Sequence, residues 1–283
     1  MSAVSRLETV HDVVGPWSLA TSRRFWEGFT PGRLASQTQA PGIHTTFLCD
    51  TDWQRVDAVI TQDGPSVRIV VDGTGDLDAA TDQVRRLLSI DIDGRSWPDV
   101  AMRDGVIAEA QAQLRGFRPC GFFSPYEAAV WSVLSQRLQI RQAAAIKTRL
   151  TQQLGDDGAF PSPAALFAES LVLPGRKAEY LHAIAEAALD GRLSGSFLRS
   201  MPSAEAFVQV QGILGMGPFS AELVVIRGAN FPDVLPHHEG KLSDEITRRY
   251  GTDRSFDEIT EAWKPYRSWA TVHLRALRAA EGR

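Results

Sequence analysis

The sequence predicts an α+β protein in which a small β-sheet domain with helices precedes an all-helical domain. Three observations point to this fold class. Segments rich in β-branched residues, separated by turn residues, are confined to about the first 96 residues. Beyond them, apolar residues recur at helical spacing, and capping residues open one helix after another. The 283-residue chain is long enough for two domains, which we place at residues 1–100 and 101–283.

The sheet domain is predicted from short β-branched segments that are followed by one helix. Asp63-Gly64-Pro65 is a strong turn signal, so the segments on either side of it should pair as a hairpin. A helix follows over residues 77–88, where the leucines and a valine share one face. The predicted strands cover residues 14–20, 44–49, 53–61 and 66–71.

The helical domain is predicted from its caps and its helical periodicity. Ser124-Pro125-Tyr126-Glu127 is a capping box with proline at the first helical position, and it opens an apolar helix that runs through Leu138. The other helices are predicted over residues 105–114 and 141–154, in a short stretch from residue 162, and over residues 176–189, 203–211, 218–227, 244–250, 256–263 and 266–280.

Composition excludes several classes of protein. No apolar run approaches the ~20 residues that a membrane span needs, and the N-terminus lacks the apolar core of a secretory signal. The two cysteines, Cys49 and Cys120, form no Cys-x-x-Cys pair, which argues against a disulfide framework or a zinc site and fits a reducing compartment. We therefore expect a cytoplasmic monomer without membrane contact.

The charges are unevenly distributed along the chain. The formal net charge of −4 argues against DNA binding through bulk charge. However, residues 72–104 contain eight aspartates, whereas residues 128–155 contain no acidic residue. The second segment can face phosphate while the first keeps the protein soluble; the alternative is that both are solvated surfaces. The basic residues of the second segment are Arg137, Arg141, Lys147 and Arg149.

The most informative segment is VQGILGMGPFSA, residues 210–221, where one helix ends, a Gly-x-Gly turn follows and a new helix begins. Glycine permits the conformations and the close backbone approach that such a turn needs. Free N–H groups of the turn and the new helix can bind a phosphate without reading base sequence. Carbonyls of the turn, at Leu214 and Gly217, can hold a monovalent cation, and we expect no other cofactor. A tight hairpin without a ligand is the alternative. The predicted DNA contacts here are Gly215, Gly217, Phe219 and Ser220.

With its surroundings, this hairpin resembles that of the AlkA-like 3-methyladenine DNA glycosylase II family, in the helix-hairpin-helix DNA glycosylase superfamily. The resemblance implies a sheet domain and a helix-hairpin-helix glycosylase domain in two lobes, with the DNA site in the cleft between them. It also implies an enzyme that flips a damaged base out of double-stranded DNA and hydrolyses its N-glycosidic bond. Four segments carry the likeness in the expected order: GFFSPYEAAVWSVLSQ (121–136), LPGRKAEY (173–180), LGMG through RG (214–228) and WKPYRSWA (263–270).

The resemblance also assigns DNA contacts before the hairpin. Gln136 lies where the family has a minor-groove residue, and Arg137 or Leu138 then fills the gap that the flipped base leaves. The alternative is a polar helix end at the surface. Glycosylases with lyase activity carry a lysine at the position of Phe219, so we expect no lyase step.

At the catalytic position the sequence departs from the family, in which an aspartate after the hairpin stabilises the positive charge on the sugar. Aligned on the preceding Leu-Pro pair, that position holds His238; aligned without a gap from Arg227, it holds Glu239. We favour Glu239, because the chemistry calls for a carboxylate. His238 is the second candidate, and a solvated loop or helix-cap residue is the alternative for both.

The base pocket departs from the family as well. There, aromatic residues sandwich an electron-poor base. Phe219 retains one aromatic residue, and Tyr126 is a further pocket candidate, with a core position as its alternative. Leu223 and Arg275 stand where two other aromatics are expected. Because Arg275 repels a cation, we expect poor activity on cationic bases such as 3-methyladenine and a better fit to a neutral lesion.

Two functions from different classes are consistent with these features. The first is a nucleoid-associated base-excision DNA glycosylase without a lyase step. The second is a non-catalytic DNA-binding paralogue that recognises damage without cleaving. Two features favour it: the histidines in the catalytic stretch, which we define as residues 233–242, and the loss of aromatic residues from the base pocket. A helical protein unrelated to DNA is disfavoured by the four ordered matches.

Overall fold

An antiparallel sheet forms the N-terminal part of the chain, and helices form most of the rest, which confirms the predicted fold class. The computed structural model describes residues 3–30 and 42–281. Within them, the sheet has the order β1-β4-β3-β2, and the predicted turn at Gly64 joins β3 to β4, with Asp63 opposite Ser66. The strands are β1 (Ser5–Asp12), β2 (Ile43–Leu48), β3 (Arg55–Asp63) and β4 (Ser66–Gly73).

The strand predicted at residues 14–20 is wrong. Gly15 has a φ of +92°, outside the extended region, and Ser18 caps a helix by accepting a hydrogen bond from the Thr21 N–H. The first strand lies earlier, at β1, and within the described residues it is an edge strand that pairs with β4. Because an edge strand is half exposed, β1 alternates exposed and partly buried residues and lacks the β-branched cluster on which the prediction relied.

Fourteen α-helices lie within the described residues, and most begin or end within a few residues of the predicted bounds. Three were not predicted: α1, α3 and α9. The helices are α1 (Leu19–Gly28), α2 (Leu77–Leu87), α3 (Trp97–Arg103), α4 (Gly105–Gln113), α5 (Pro125–Ser135), α6 (Ile140–Leu154), α7 (Pro163–Ala168), α8 (Lys177–Leu189), α9 (Gly195–Arg199), α10 (Ser203–Gln211), α11 (Pro218–Leu223), α12 (Gly240–Tyr250), α13 (Phe256–Glu261) and α14 (Arg267–Glu281). A π-helical turn, Val224–Gly228, continues α11.

The buried side chains form separate cores, one for the sheet and one for each of two helical lobes. The sheet packs on α1 and α2. The first lobe is centred on α5, whose residues are almost all buried, and includes α8 and α10. The second lobe contains α3, α4 and α12 to α14. The predicted domain boundary at residue 100 falls inside α3, whose Trp97 packs with this second lobe.

Buried charged groups join the sheet to the lobes. Asp50 accepts hydrogen bonds from Arg86 at 2.6 Å and from the Gly195 N–H at 2.7 Å. The fully buried Arg118 donates to four backbone carbonyls, those of Val14, Pro16, Ser89 and Ile92. Such donors satisfy the backbone carbonyls of irregular segments, which lack the regular hydrogen bonds of a helix or a sheet. In the part of the chain that the structure describes, every helix is too short or too polar to cross a bilayer.

Candidate active site and DNA interface

The hairpin turn joins α10 to α11, and its two glycines are fixed by different constraints. Gly215 has a φ of +89°, and a Cβ there would lie 2.4 Å from the ring of Tyr180. Gly217 has an ordinary φ of −81°, and a Cβ there would meet no heavy atom within 4 Å. Packing therefore requires the first glycine, whereas the second borders open space.

Around Gly217 the hairpin presents an apolar and largely exposed surface. Leu214 and Phe219 are about half exposed on either side of it. Ser220 was predicted to contact DNA, but the residue is only 4% exposed, so its side chain is not part of this surface. The Gly217 carbonyl accepts the Ala221 N–H at 3.0 Å, which leaves it one lone pair for the predicted cation.

The end of α5 lies against this hairpin. The Gln136 side-chain amide donates to the Gly215 carbonyl at 3.1 Å. Lys177 Nζ donates to the carbonyls of Val133 and Gln136, and thereby caps the helix; its burial lowers the pKa of this lysine. The helix consequently ends at Ser135 rather than at Leu138 as predicted.

Beyond that cap, Arg137 adopts a left-handed conformation, with a φ of +55°, and its side chain is exposed. Leu138 is half-buried. The predicted DNA contacts that follow α5 therefore begin beside the hairpin, where Gln136 contacts Gly215. Tyr126, by contrast, was predicted as a base-pocket candidate, but the structure places it in the core. It is 1% exposed, donates to the Pro161 carbonyl and packs against Trp53. It is part of the core because α5 is enclosed on all sides.

The candidate catalytic residues lie at the start of α12. This helix begins at Gly240, four residues before the predicted start, so Glu239 is its N-cap residue. The Glu239 carboxylate lies 2.8 Å from Arg275 Nε on α14, and each side chain is about one-third exposed. Arg275 thus lies at the catalytic stretch, where it neutralises the candidate carboxylate.

Arg227, in the π-helical turn, lies close to the same ion pair. Burial lowers the pKa of its guanidinium to about 10, with Glu239 acting to raise it and Arg275 to lower it. The guanidinium stacks 4.4 Å from the ring of Phe29. Its Nε has no hydrogen-bond partner among the described residues. Two arginines and one glutamate therefore form a cluster with a net positive charge.

Neighbouring His238 is held by Glu222, a residue of α11 that is only 5% exposed. One oxygen of Glu222 accepts from the His237 N–H at 2.9 Å and lies 2.7 Å from His238 Nδ1, and the other accepts from the His238 N–H at 3.0 Å. The hairpin helix is thereby tied directly to the catalytic stretch.

The segment between the π-helical turn and α12 is fixed by the WKPYRSWA motif. Asp233 accepts from both the backbone and the guanidinium of Arg267, at 3.0 and 2.8 Å. Ser268 bonds with the backbone of Pro232 and Val234. These contacts give the motif a physical role, since they hold the chain that leads to His238.

Known proteins with similar sequences are DNA glycosylases. A DNA-3-methyladenine glycosylase of Bacillus subtilis (strain 168) is 26% identical in an alignment of 212 positions that covers 68% of this chain and 69% of that protein. DNA-3-methyladenine glycosylase 2 of Escherichia coli (strain K12) is 29% identical over 60% of this chain and 64% of its own. The chain thus spans about two-thirds of the length of these relatives. No family model matches it.

A 3-methyladenine DNA glycosylase from Archaeoglobus fulgidus has a similar solved structure. It is 17% identical, covers 96% of this chain and 98% of its own, and has a TM-score of 0.73. The chain has the helix-hairpin-helix glycosylase fold. Together with the sequence matches, this confirms the resemblance to the AlkA-like family.

Glu222 and Arg227 lie at the candidate site, and the sequence analysis missed both. Glu222 is the only acidic residue in the apolar run from Pro218 to Ile226, and a lone carboxylate at such a place is a signal of a buried polar contact. Arg227 was used only as an alignment point. The partners of Glu222 and Arg227 could not be named from the sequence, because these contacts join different helices.

Proposed function

We propose that the protein is a DNA glycosylase that binds double-stranded DNA, extrudes a damaged base and hydrolyses its N-glycosidic bond without a lyase step. The observation that carries this proposal is the tie between the hairpin and the catalytic stretch. Glu222 of α11 is bonded to His238, and Glu239 follows at the start of α12. A surface suited to phosphate is thereby joined to groups suited to hydrolysis.

DNA binding is supported by the surface that α5 and the hairpin share. The backbone at Gly217 borders open space, so a phosphate can approach it closely. Exposed Arg137 lies beside it, in a backbone conformation that costs free energy for any residue except glycine. We assign Arg137 to the gap that the flipped base leaves, with Gln136 and Leu138 at the adjoining groove, and a monovalent cation to the carbonyls of Leu214 and Gly217.

Hydrolysis requires stabilisation of the positive charge that develops on the sugar. We assign this role to Glu239, whose charge Arg275 offsets in part. Phe219, Leu223 and Arg275 are assigned to the base pocket, which then favours a neutral lesion over a cationic one. Phe219 supplies no amine for a Schiff base. All these groups come from one chain, so a monomer suffices, and its substrate would place it with the nucleoid in the cytoplasm.

The direct test uses duplex oligonucleotides that each carry one damaged base, with the undamaged duplex as the control. We expect strand breaks after alkali treatment, which cleaves abasic sites, and none before it. Breaks before alkali would contradict the absence of a lyase step. Tight binding to every lesion without any base release would favour the non-catalytic paralogue, for which the neutralised Glu239 is the supporting observation.

A further inference from the structure

Three hydrogen bonds fix the position of the Glu222 carboxylate between α11 and the start of α12. It accepts two backbone N–H groups and lies 2.7 Å from His238 Nδ1. An ionised carboxylate only accepts hydrogen bonds, so Nδ1 must carry the proton. The other ring nitrogen, Nε2, is then the free nitrogen of the imidazole.

The ring is also accessible from outside. The His238 side chain is 49% exposed, although its partner Glu222 is nearly buried. Enzymes orient a general base by such an arrangement, in which a buried carboxylate fixes the tautomer of a histidine and leaves the opposite nitrogen to act. His237 differs, since its ring packs against Phe256 instead.

Glu239 is less suited to accept a proton. Its carboxylate is bound to Arg275 at 2.8 Å, with a second arginine, Arg227, nearby. A carboxylate already bound by an arginine must give up a charge-assisted hydrogen bond in order to take a proton from water. The two candidates that the sequence left at the catalytic position therefore have different chemistry in the structure.

We infer that His238 is the general base that activates the hydrolytic water, and that Glu222 is the positioning residue that holds it. This inference rests on the proposed function and assigns a role that Glu239 does not fill. The C1′–N bond breaks, and its electron pair leaves with the base, which takes a proton from solvent. The water oxygen bonds to C1′, and the water proton goes to His238 Nε2, which returns it to solvent.

A distinct pH profile follows from this assignment. Glu222 on α11 contacts the ring, Glu239 follows His238 in the chain, and Arg275 on α14 and Arg227 in the π-helical turn lie at Glu239. An imidazole generally titrates between about pH 5 and 8, whereas a carboxylate usually does so below about pH 5. The rate of base release should therefore fall tenfold per pH unit on the acid side of the histidine range.

The test compares base release from a lesion-bearing duplex by wild type, His238→Ala, Glu222→Gln, Glu239→Gln and the matched control His237→Ala, which keeps the backbone N–H that Glu222 accepts. We expect His238→Ala to lose about 10²- to 10⁴-fold in rate. Glu222→Gln should reduce the rate of base release by nearly as large a factor, and it should displace the acid limb of the pH profile. Glu239→Gln should lower the rate at every pH without moving that limb. His237→Ala should behave as wild type.

Two further measurements separate chemistry from folding. Affinity for a duplex with a tetrahydrofuran abasic analogue should stay within about threefold of wild type, which is a difference below 1 kcal/mol. Imidazole added to His238→Gly should restore part of the rate, which it cannot do for a residue with a purely structural role.

Each outcome decides between the proposals. Normal release by His238→Ala, or a wild-type acid limb in that variant, overturns the role of His238 and leaves the proposed function standing. Absence of release by the wild-type protein from every lesion contradicts both. Loss of release in His238→Ala with normal release and pH profile in Glu222→Gln overturns the role of Glu222 alone.

Discussion

At the scale of single residues, the hairpin turn separates folding from binding. Gly215 is needed for folding, because any side chain there would enter the ring of Tyr180. Gly217 has a backbone conformation that every residue adopts, and it faces open space. A substitution at Gly217 therefore changes the surface that meets a ligand and leaves the fold intact.

We predict that Gly217→Leu weakens binding to duplex DNA by about tenfold, whatever the sequence of the DNA, because the side chain keeps phosphate away from the backbone N–H groups. Fluorescence anisotropy with labelled duplexes measures the effect. Gly105→Leu is the matched control, since that glycine also borders open space but lies on α4, away from the hairpin. Equal loss in both variants would contradict the prediction.

Arg275 acts on the charge of the site in two ways, since it adds a cation and it neutralises Glu239. We predict that Arg275→Met increases release of 3-methyladenine and 7-methylguanine from alkylated DNA by about tenfold, equivalent to ~1.4 kcal/mol of barrier. Arg278→Met, one turn further along α14, should have no effect. Brisk release of both bases by the unmodified protein would refute the role assigned to Arg275.

At the scale of elements, the segment from Pro232 to His238 has no secondary structure and depends on its neighbours. Asp233 and Arg267 anchor one end to α14, and Glu222 anchors the other end to α11. The helices α11 and α14 thus position the candidate catalytic stretch together. The π-helical turn after α11 adds Arg227 to the same place.

We predict that Asp233→Ala lowers the free energy of unfolding by about 1.5–3 kcal/mol, the usual worth of hydrogen bonds to a charged group. Base release should fall more than DNA binding does, because the segment that carries His238 loses its anchor. Urea denaturation and single-turnover kinetics measure the two effects. Asp82→Ala, which removes an exposed ion pair on α2, is the control and should change neither. Binding and release that fall in parallel would contradict this view.

Several elements were predictable from local signals and others were not. The cap at Ser124 and the turn at Gly64 are local, and the structure has both. The end of α5 was misplaced because Lys177, on another helix, caps it. The start of α12 was predicted too late. Its N-cap residue, Glu239, makes no side-chain cap hydrogen bond, so the sequence carries no capping signal at the true start.

At the scale of the whole molecule, the basic surface is small against a net charge of −4. Arg137, Arg141 and Arg149 are exposed, but Lys147 turns inward to Glu127 at 3.3 Å.

We predict that log affinity for duplex DNA falls linearly with log salt. Arg137→Ala should reduce the slope by about one unit, and Arg95→Ala, in the aspartate-rich segment, should not. An affinity that is indifferent to salt would contradict phosphate contact.

Acid stability is a second property of the whole molecule. His273, on α14, is fully buried between Trp97 and Phe117, and burial lowers its pKa from 6.5 to about 4. Between these values the unfolded chain binds a proton that the folded chain does not, so stability falls as pH falls from about 6.5 to 4.

We predict that this histidine accounts for about 3 kcal/mol of stability lost over that pH range. His273→Leu should flatten the dependence of the unfolding free energy on pH. Chemical denaturation at several pH values measures it. An unchanged slope in His273→Leu would show that other groups cause the loss.

By itself, the sequence determined the fold class, the hairpin and the resemblance to the AlkA-like family, because caps, turns and periodicity act over a few residues and segment order survives at low identity. It left two candidates for one alignment position, and favoured Glu239 over His238 only because the chemistry calls for a carboxylate. Only the tertiary structure separated them, since Glu222 reaches one from α11 and Arg275 reaches the other from α14. The physical reason is that the charge and orientation of a side chain depend on partners that packing brings together from distant parts of the chain.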